Sequence, residues 1–158
     1  MKKELLLIII CFSFVSCAWF LEDHNNPYDY TVNKPNIDEI IGDYQISETS
    51  RKRLNIPKNV AKTILIKLYS NKTFEFINIP ENELYKNEQE FKTTNETGTW
   101  NIKLNQGSWV LPLTIKSKYD ESSCHLANQY HLNKNKPPYQ ILKMVDIENW
   151  DAIIFDKK

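Results

Sequence analysis

Residues 60–79, V-A-K-T-I-L-I-K-L-Y-S-N-K-T-F-E-F-I-N-I, constrain the fold more than any other stretch. Ile64, Ile66 and Leu68 alternate with Leu65, Lys67 and Tyr69. After Ser70-Asn71-Lys72, Phe74 and Phe76 alternate with Thr73, Glu75 and Ile77. Period-two alternation on both sides of a polar turn specifies an antiparallel hairpin with one buried face. A one-residue slip would send every side chain to the other face, so the apolar pattern also fixes the register. The register that keeps the apolar set together pairs Leu68 with Phe74, Ile66 with Phe76 and Ile64 with Asn78. Ser70-Asn71-Lys72 is then the tip, with Asn71 suited to the strained backbone of a turn.

The pattern recurs downstream. Thr97 to Leu104 and Trp109 to Ile115 alternate in the same way. A two-residue turn at Gln106-Gly107 pairs Leu104 with Trp109, Ile102 with Leu111 and Trp100 with Leu113, keeping both tryptophans on the buried face. Pro112 has no N–H for a ladder, so it belongs at an edge, a bulge or the open side of a pair. Gly42 to Ile46 reads as a first strand, preceded by one helical turn at residues 36–41 with Asn36 as its N-cap. Leu126–Leu132, Tyr139–Met144 and Trp150–Phe155 read as later strands. Residues 48–59, with Arg51, Lys52 and Arg53, read as a solvated loop. Residues 81–92 are strongly polar and fit a short helix or a flap. About eight short strands at regular spacing, with almost no helix, predict an all-β fold: a small antiparallel up-and-down barrel or sandwich.

The start of the chain reads as delivery machinery. A basic Met1-Lys2-Lys3-Glu4 precedes an apolar run from Leu5 to Val15. That run is too short for an ordinary spanning helix of roughly 20 residues, and has the layout of a secretory signal. It ends at Ser16-Cys17, where it resembles the signal of bacterial lipoproteins. The resemblance implies that residues 1–16 are removed and that Cys17 is lipidated. Without it, a plain secretory signal or an uncleaved anchor fits the same residues, with Cys17 incidental. Lipidation would hold the protein at a membrane, since each buried methylene of an acyl chain contributes about 0.8 kcal/mol. Cys11 would leave with the signal, so Cys124 would be the sole free thiol, with no internal disulfide to form. Residues 17–36 then read as a tether, and residues 37–158 as the domain.

Gly42-Asp43-Tyr44, the hairpin L-Y-S-N-K-T-F-E-F and Gly98-Thr99-Trp100 together resemble the lipocalin-like β-barrels of bacterial lipoproteins. In that family the first strand carries Gly-x-Trp, and Tyr44 would take the place of the tryptophan. An arginine near the last strand usually packs on that ring, but no arginine follows Arg53 here. The resemblance implies a pocket for a small apolar ligand, because barrels of this size can hold one. Phe74, Phe76, Trp100 and Trp109 are the candidate lining residues. Ordinary core packing is the competing reading for the same aromatics, Trp150 among them.

Chemistry is sparse. Cys124, His125 and His131 form the one metal-type cluster of the domain. Cys124 and His125 would point to opposite faces of a strand, and a tetrahedral site needs four convergent ligands, so no metal site is expected. Gly-rich phosphate loops, G-x-S-x-G and H-E-x-x-H are missing, so neither cofactor nor enzymatic activity is expected. Equal numbers of acidic and basic residues, 20 of each, give no general electrostatic case for nucleic acid. The expectation is an envelope lipoprotein held at a membrane, most naturally the outer one, through lipid on Cys17. It would bind a small apolar ligand. The alternative is a protein–protein interaction module of the envelope, such as an inhibitor, an immunity factor or an assembly accessory.

Overall fold

The computed structural model describes residues 27–80, 91–116, 123–125, 130–146 and 151–158. The signal, Cys17, most of the 81–92 stretch and Trp150 lie outside the described residues. The fold is all-β, a curled half-barrel of antiparallel strands, as the alternation predicts.

The central ribbon forms β2 (Leu65–Leu68) and β3 (Thr73–Ile77). Leu68 pairs with Phe74 and Ile66 with Phe76, which is the register set by the apolar face. The tip differs in one detail. The left-handed residue is Lys72, at φ 65°, rather than Asn71. Asn71 serves through its side chain: Oδ1 accepts from the Thr73 N–H at 3.0 Å and from its hydroxyl at 2.6 Å. A three-residue loop places its left-handed residue last, beside the returning strand.

Before the ribbon come α1 (Ile37–Ile40), with Asn36 capping it through Asp38 N–H, and β1 (Gly42–Ile46). The expected loop at 48–59 instead holds two short helices, α2 (Glu48–Arg53) and α3 (Lys58–Ala61). Ser47 caps α2 by accepting from Ser50 N–H. Leu54, Ile56 and Ala61 of this connection are buried in the main core, so it packs against the sheet rather than standing in solvent.

The second hairpin is longer and bent. It comprises β6 (Thr97–Trp100), β7 (Lys103–Asn105), β8 (Ser108–Val110) and β9 (Leu113–Lys116). Gln106 and Gly107 both have positive φ, the geometry of the expected two-residue turn. Leu104 pairs with Trp109, and Trp100 with Leu113. Between these pairs the ladder is interrupted at Asn101-Ile102 and Leu111-Pro112. Pro112 sits in that break, its carbonyl accepting from Asn101 N–H at 3.1 Å.

The remaining strands are β4 (Ile79–Pro80) with β5 (Thr93–Thr94) as a separate ribbon, β10 (Ser123–His125), β11 (Tyr130–Asn133), β12 (Gln140–Asp146) and β13 (Asp151–Lys157). Among the described residues the main sheet runs β10-β9-β6-β3-β2-β1-β13-β12-β11-β8-β7, eleven strands rather than the expected eight. The excess comes from the broken hairpin and from short β10. Because β6 continues into β7, and β8 into β9, one bent hairpin pairs at both ends of this order. It meets β3 through β6 and β11 through β8.

The N-terminal described residues are docked on the sheet. Thr31 is fully buried. Its N–H donates to Leu132 O at 3.0 Å, and its carbonyl accepts from Trp109 N–H at 2.7 Å. Thr31 is therefore a one-residue spacer between β11 and β8. Tyr28 and Tyr30 cover a second apolar cluster, Leu142, Met144 and Ala152, on the outer face of β12 and β13. The later part of the expected tether is thus a docked strap.

Candidate functional site

Two places merit consideration, the inner wall and the hairpin bend. Inward positions follow from the alternation. Tyr44, Ile66, Phe74, Phe76, Trp100, Tyr130, Leu132, Ile141, Ile153 and Phe155 share one apolar cluster. The aromatics pack tilted, Phe74 on Phe76 with ring centres 4.7 Å apart and Phe76 on Tyr130 at 5.4 Å. These wall residues are buried to within a few per cent, so at these positions the wall meets other side chains rather than an open space. Burial pushes the hydroxyls of Tyr44 and Tyr130 above their ordinary range. The Tyr44 hydroxyl donates to Ile40 O at 2.6 Å, so its one polar group is satisfied.

The structure brings the four candidate lining residues into the same cluster. Phe74 and Phe76 are interior, Trp100 is 3 % exposed, and Trp109 is half-buried against the cluster's rim. Lys143 was missed by the sequence reading. It lies opposite Tyr130 and Ile153, so it faces inward, and its Nζ donates to Pro80 O at 2.7 Å. Its alternation with Ile141 and Val145 is the signal that marks it as inward-facing.

Cys124, His125 and His131 are separated. The first two lie in β10, paired with β9, whereas His131 lies in β11 opposite Val110 and Leu142. Among the described residues no three histidine, cysteine or acidic side chains group as metal ligands. Among them, too, no helix is long and apolar enough to cross a membrane, which says nothing of strands.

The basic run at 51–53 is largely occupied internally. Arg51 makes a two-pronged contact with Glu48, both bonds at 2.7 Å, and holds that carboxyl down at about 2. Arg51 also donates to Ile56 O at 2.8 Å. Arg53 pairs with Asp151 and donates to Ala152 O, tying α2 to β13.

The second place is a cleft of about 610 Å³ at the hairpin bend, lined by Lys72, Thr99, Trp100, Asn101, Ile102, Lys103, Pro112 and Thr114. The break in the ladder creates it, since β6–β9 and β7–β8 diverge there. The Lys72 ammonium lies 3.9 Å from the centre of the Trp100 ring, and the Trp100 indole N–H donates to Tyr69 O at 3.1 Å.

Comparison of the chain with family models, with curated proteins and with solved structures finds no match.

Proposed function

We propose that this chain is a bacterial envelope lipoprotein, tethered through lipid on Cys17, whose lipocalin-like barrel is a protein–protein interaction module. The packing of the inner wall carries this reading. Where Phe74, Phe76 and Tyr130 fill the interior, recognition falls to the outer surface and the end loops. The charge layout of residues 1–4, the apolar run and Ser16-Cys17 support the anchor. The outer membrane is the proposed location.

The bent hairpin supports the lipocalin-like architecture. Counting β6 with β7, and β8 with β9, as single arms, and setting the short edge strand β10 aside, leaves eight arms in up-and-down order around the sheet. The first strand opens Gly42-Asp43-Tyr44 after a helical turn. Lys157 on the last strand lies opposite Tyr44, with Nζ donating to Glu39 O at 2.5 Å. A lysine would thus stand in for the arginine latch of that family.

A small apolar ligand inside the barrel is the second reading. It is favoured by the aromatic wall and by the inward-facing Lys143, whose ammonium would meet the polar end of such a ligand.

The experiment is in-cell crosslinking of the full-length chain, followed by extraction in mild detergent and mass spectrometry for both proteins and lipids. Recurrent crosslinking to one envelope protein supports the first reading. A stoichiometric co-extracted lipid with no crosslinked partner replaces it with the second. Fatty-acid labelling lost in Cys17→Ser supports the anchor, and an unlabelled wild type refutes it.

A further inference from the structure

Lys72 occupies a conformation that a lysine rarely adopts, and its backbone is held there by its neighbours. Its N–H donates to Tyr69 O at 3.1 Å, and its carbonyl accepts from Trp100 N–H at 2.8 Å. Glycine or asparagine would meet the demand for φ 65° with less strain.

The Lys72 side chain turns back into the hairpin cleft. Its Nζ is buried beside the Trp100 ring and has no hydrogen-bond partner among the described residues. The ring face attracts the cation but accepts none of its three N–H bonds in the way an oxygen would. A buried ammonium without an acceptor is costly, and an anion supplies both charge and acceptors. The cleft around it is suited to more than a bare ion. Thr99 and Asn101 add polar groups, Ile102 and Pro112 an apolar wall, and Lys103 a second cation at the rim.

We propose that this cleft is a binding site for a small organic anion, a carboxylate or phosphate carried on a compact ring-sized body. Lys72 is the counter-ion, Lys103 an outer charge, and Thr99 and Asn101 orient the body. The site lies at the hairpin bend, lined by core-packed Trp100 and Ile102 together with Thr99, Asn101 and Lys103. It requires neither the membrane anchor nor an envelope partner, so it stands or falls apart from the function proposed above.

The test is a two-dimensional amide and indole NMR titration of the full-length ¹⁵N-labelled chain in neutral detergent. The probes are glucuronate, inorganic phosphate and uncharged glucose. Saturable movement of the Trp100 indole, Thr99 and Asn101 signals with glucuronate or with phosphate is expected, and the better of the two names the anionic group. Glucose should leave them in place. Lys72→Gln should weaken the anion by about tenfold, the loss of one charge-assisted contact. Lys72→Arg should retain most of the affinity. Lys103→Gln, remote from the strained turn, should weaken it severalfold and serves if Lys72→Gln fails to fold. Movement with glucose equal to that with glucuronate overturns the proposal. So does the absence of saturation with both anions, or unchanged affinity in a folded Lys72→Gln.

Discussion

At the residue scale, one position shows how little room the chain leaves. Gly98 lies where β6 pairs with β9, opposite Ile115. A methyl placed on it would sit 2.0 Å from Thr114 O and 2.8 Å from the Phe74 ring. Neither can move aside cheaply, because one is backbone and the other core. Gly98→Ala is expected to cost about 3 kcal/mol, read from the denaturant midpoint. Gly107→Ala, with open space around it, should suffer only the conformational strain of its φ of 82°. Glu48 makes a different prediction. The hydrogen bonds from Arg51, and its charge, depress the carboxyl in the folded state to about 2 from an ordinary 4.5. A depressed carboxyl stabilises above its unfolded value and loses that contribution as pH falls through the folded one. The melting-temperature gap between wild type and Glu48→Gln should therefore be present near neutral pH and close between about pH 4.5 and pH 2. An unchanging gap would remove the ion pair from the account. Of these features the turn at Gly107 and the motif around Gly98 were visible in the sequence, but not the reason for Gly98. The steric demand comes from Thr114, sixteen residues away, and a local pattern does not report such a contact.

At the scale of elements, the sequence was most informative where side-chain alternation and a polar turn coincide. Both hairpins take the register that gathers their apolar residues, because a slip would expose Phe74, Phe76 or Trp100. The same rule did not show the break at Leu111-Pro112, although Pro112 was assigned to an irregular position. Nor did it show that Leu104, 52 % exposed, lies on the sheet's edge strand, because alternation reports a face and not whether a neighbouring strand covers it. The helices α2 and α3 escaped notice for another reason. They are one to two turns long and held by tertiary contacts, Ser50 Oγ accepting from Ile154 N–H at 2.8 Å and Arg53 binding β13. At the ribbon's tip, Asn71→Ala removes the acceptor for both Thr73 groups. A loss of about 1 kcal/mol is expected by chemical denaturation. The register is set by the strands and should survive, visible as unchanged cross-strand contacts between Leu68 and Phe74.

At the scale of the whole molecule, the curl of the sheet depends on contacts that span most of the chain. The seam between β8 and β11 is narrow. It is held by the single pair His131–Val110 and by Leu111 N–H donating to Tyr130 O at 2.9 Å. Thr31 extends that seam by bonding to both sides, and its hydroxyl donates to Lys134 O at 2.6 Å. No local pattern near residue 31 could have disclosed this, since its partners lie about 80 and 100 residues downstream and polar composition alone suggested a tether. If the strap closes the seam, its loss should be felt first across the gap. Thr31→Ala removes the hydroxyl but keeps both backbone bonds, and should cost about 1 kcal/mol. Thr31→Pro removes the N–H to Leu132 as well, and should cost more. Val32→Ala, at a position 56 % exposed, should be near neutral. Native-state hydrogen exchange distinguishes a seam from a merely stabilising patch. In Thr31→Pro the amides of Trp109 and Leu111 should lose protection ahead of Ile66 and Phe76, whose partners lie on the opposite wall. Uniform loss of protection across all four would mean that the strap only adds stability, and that the curl is held by the hairpin bend without it.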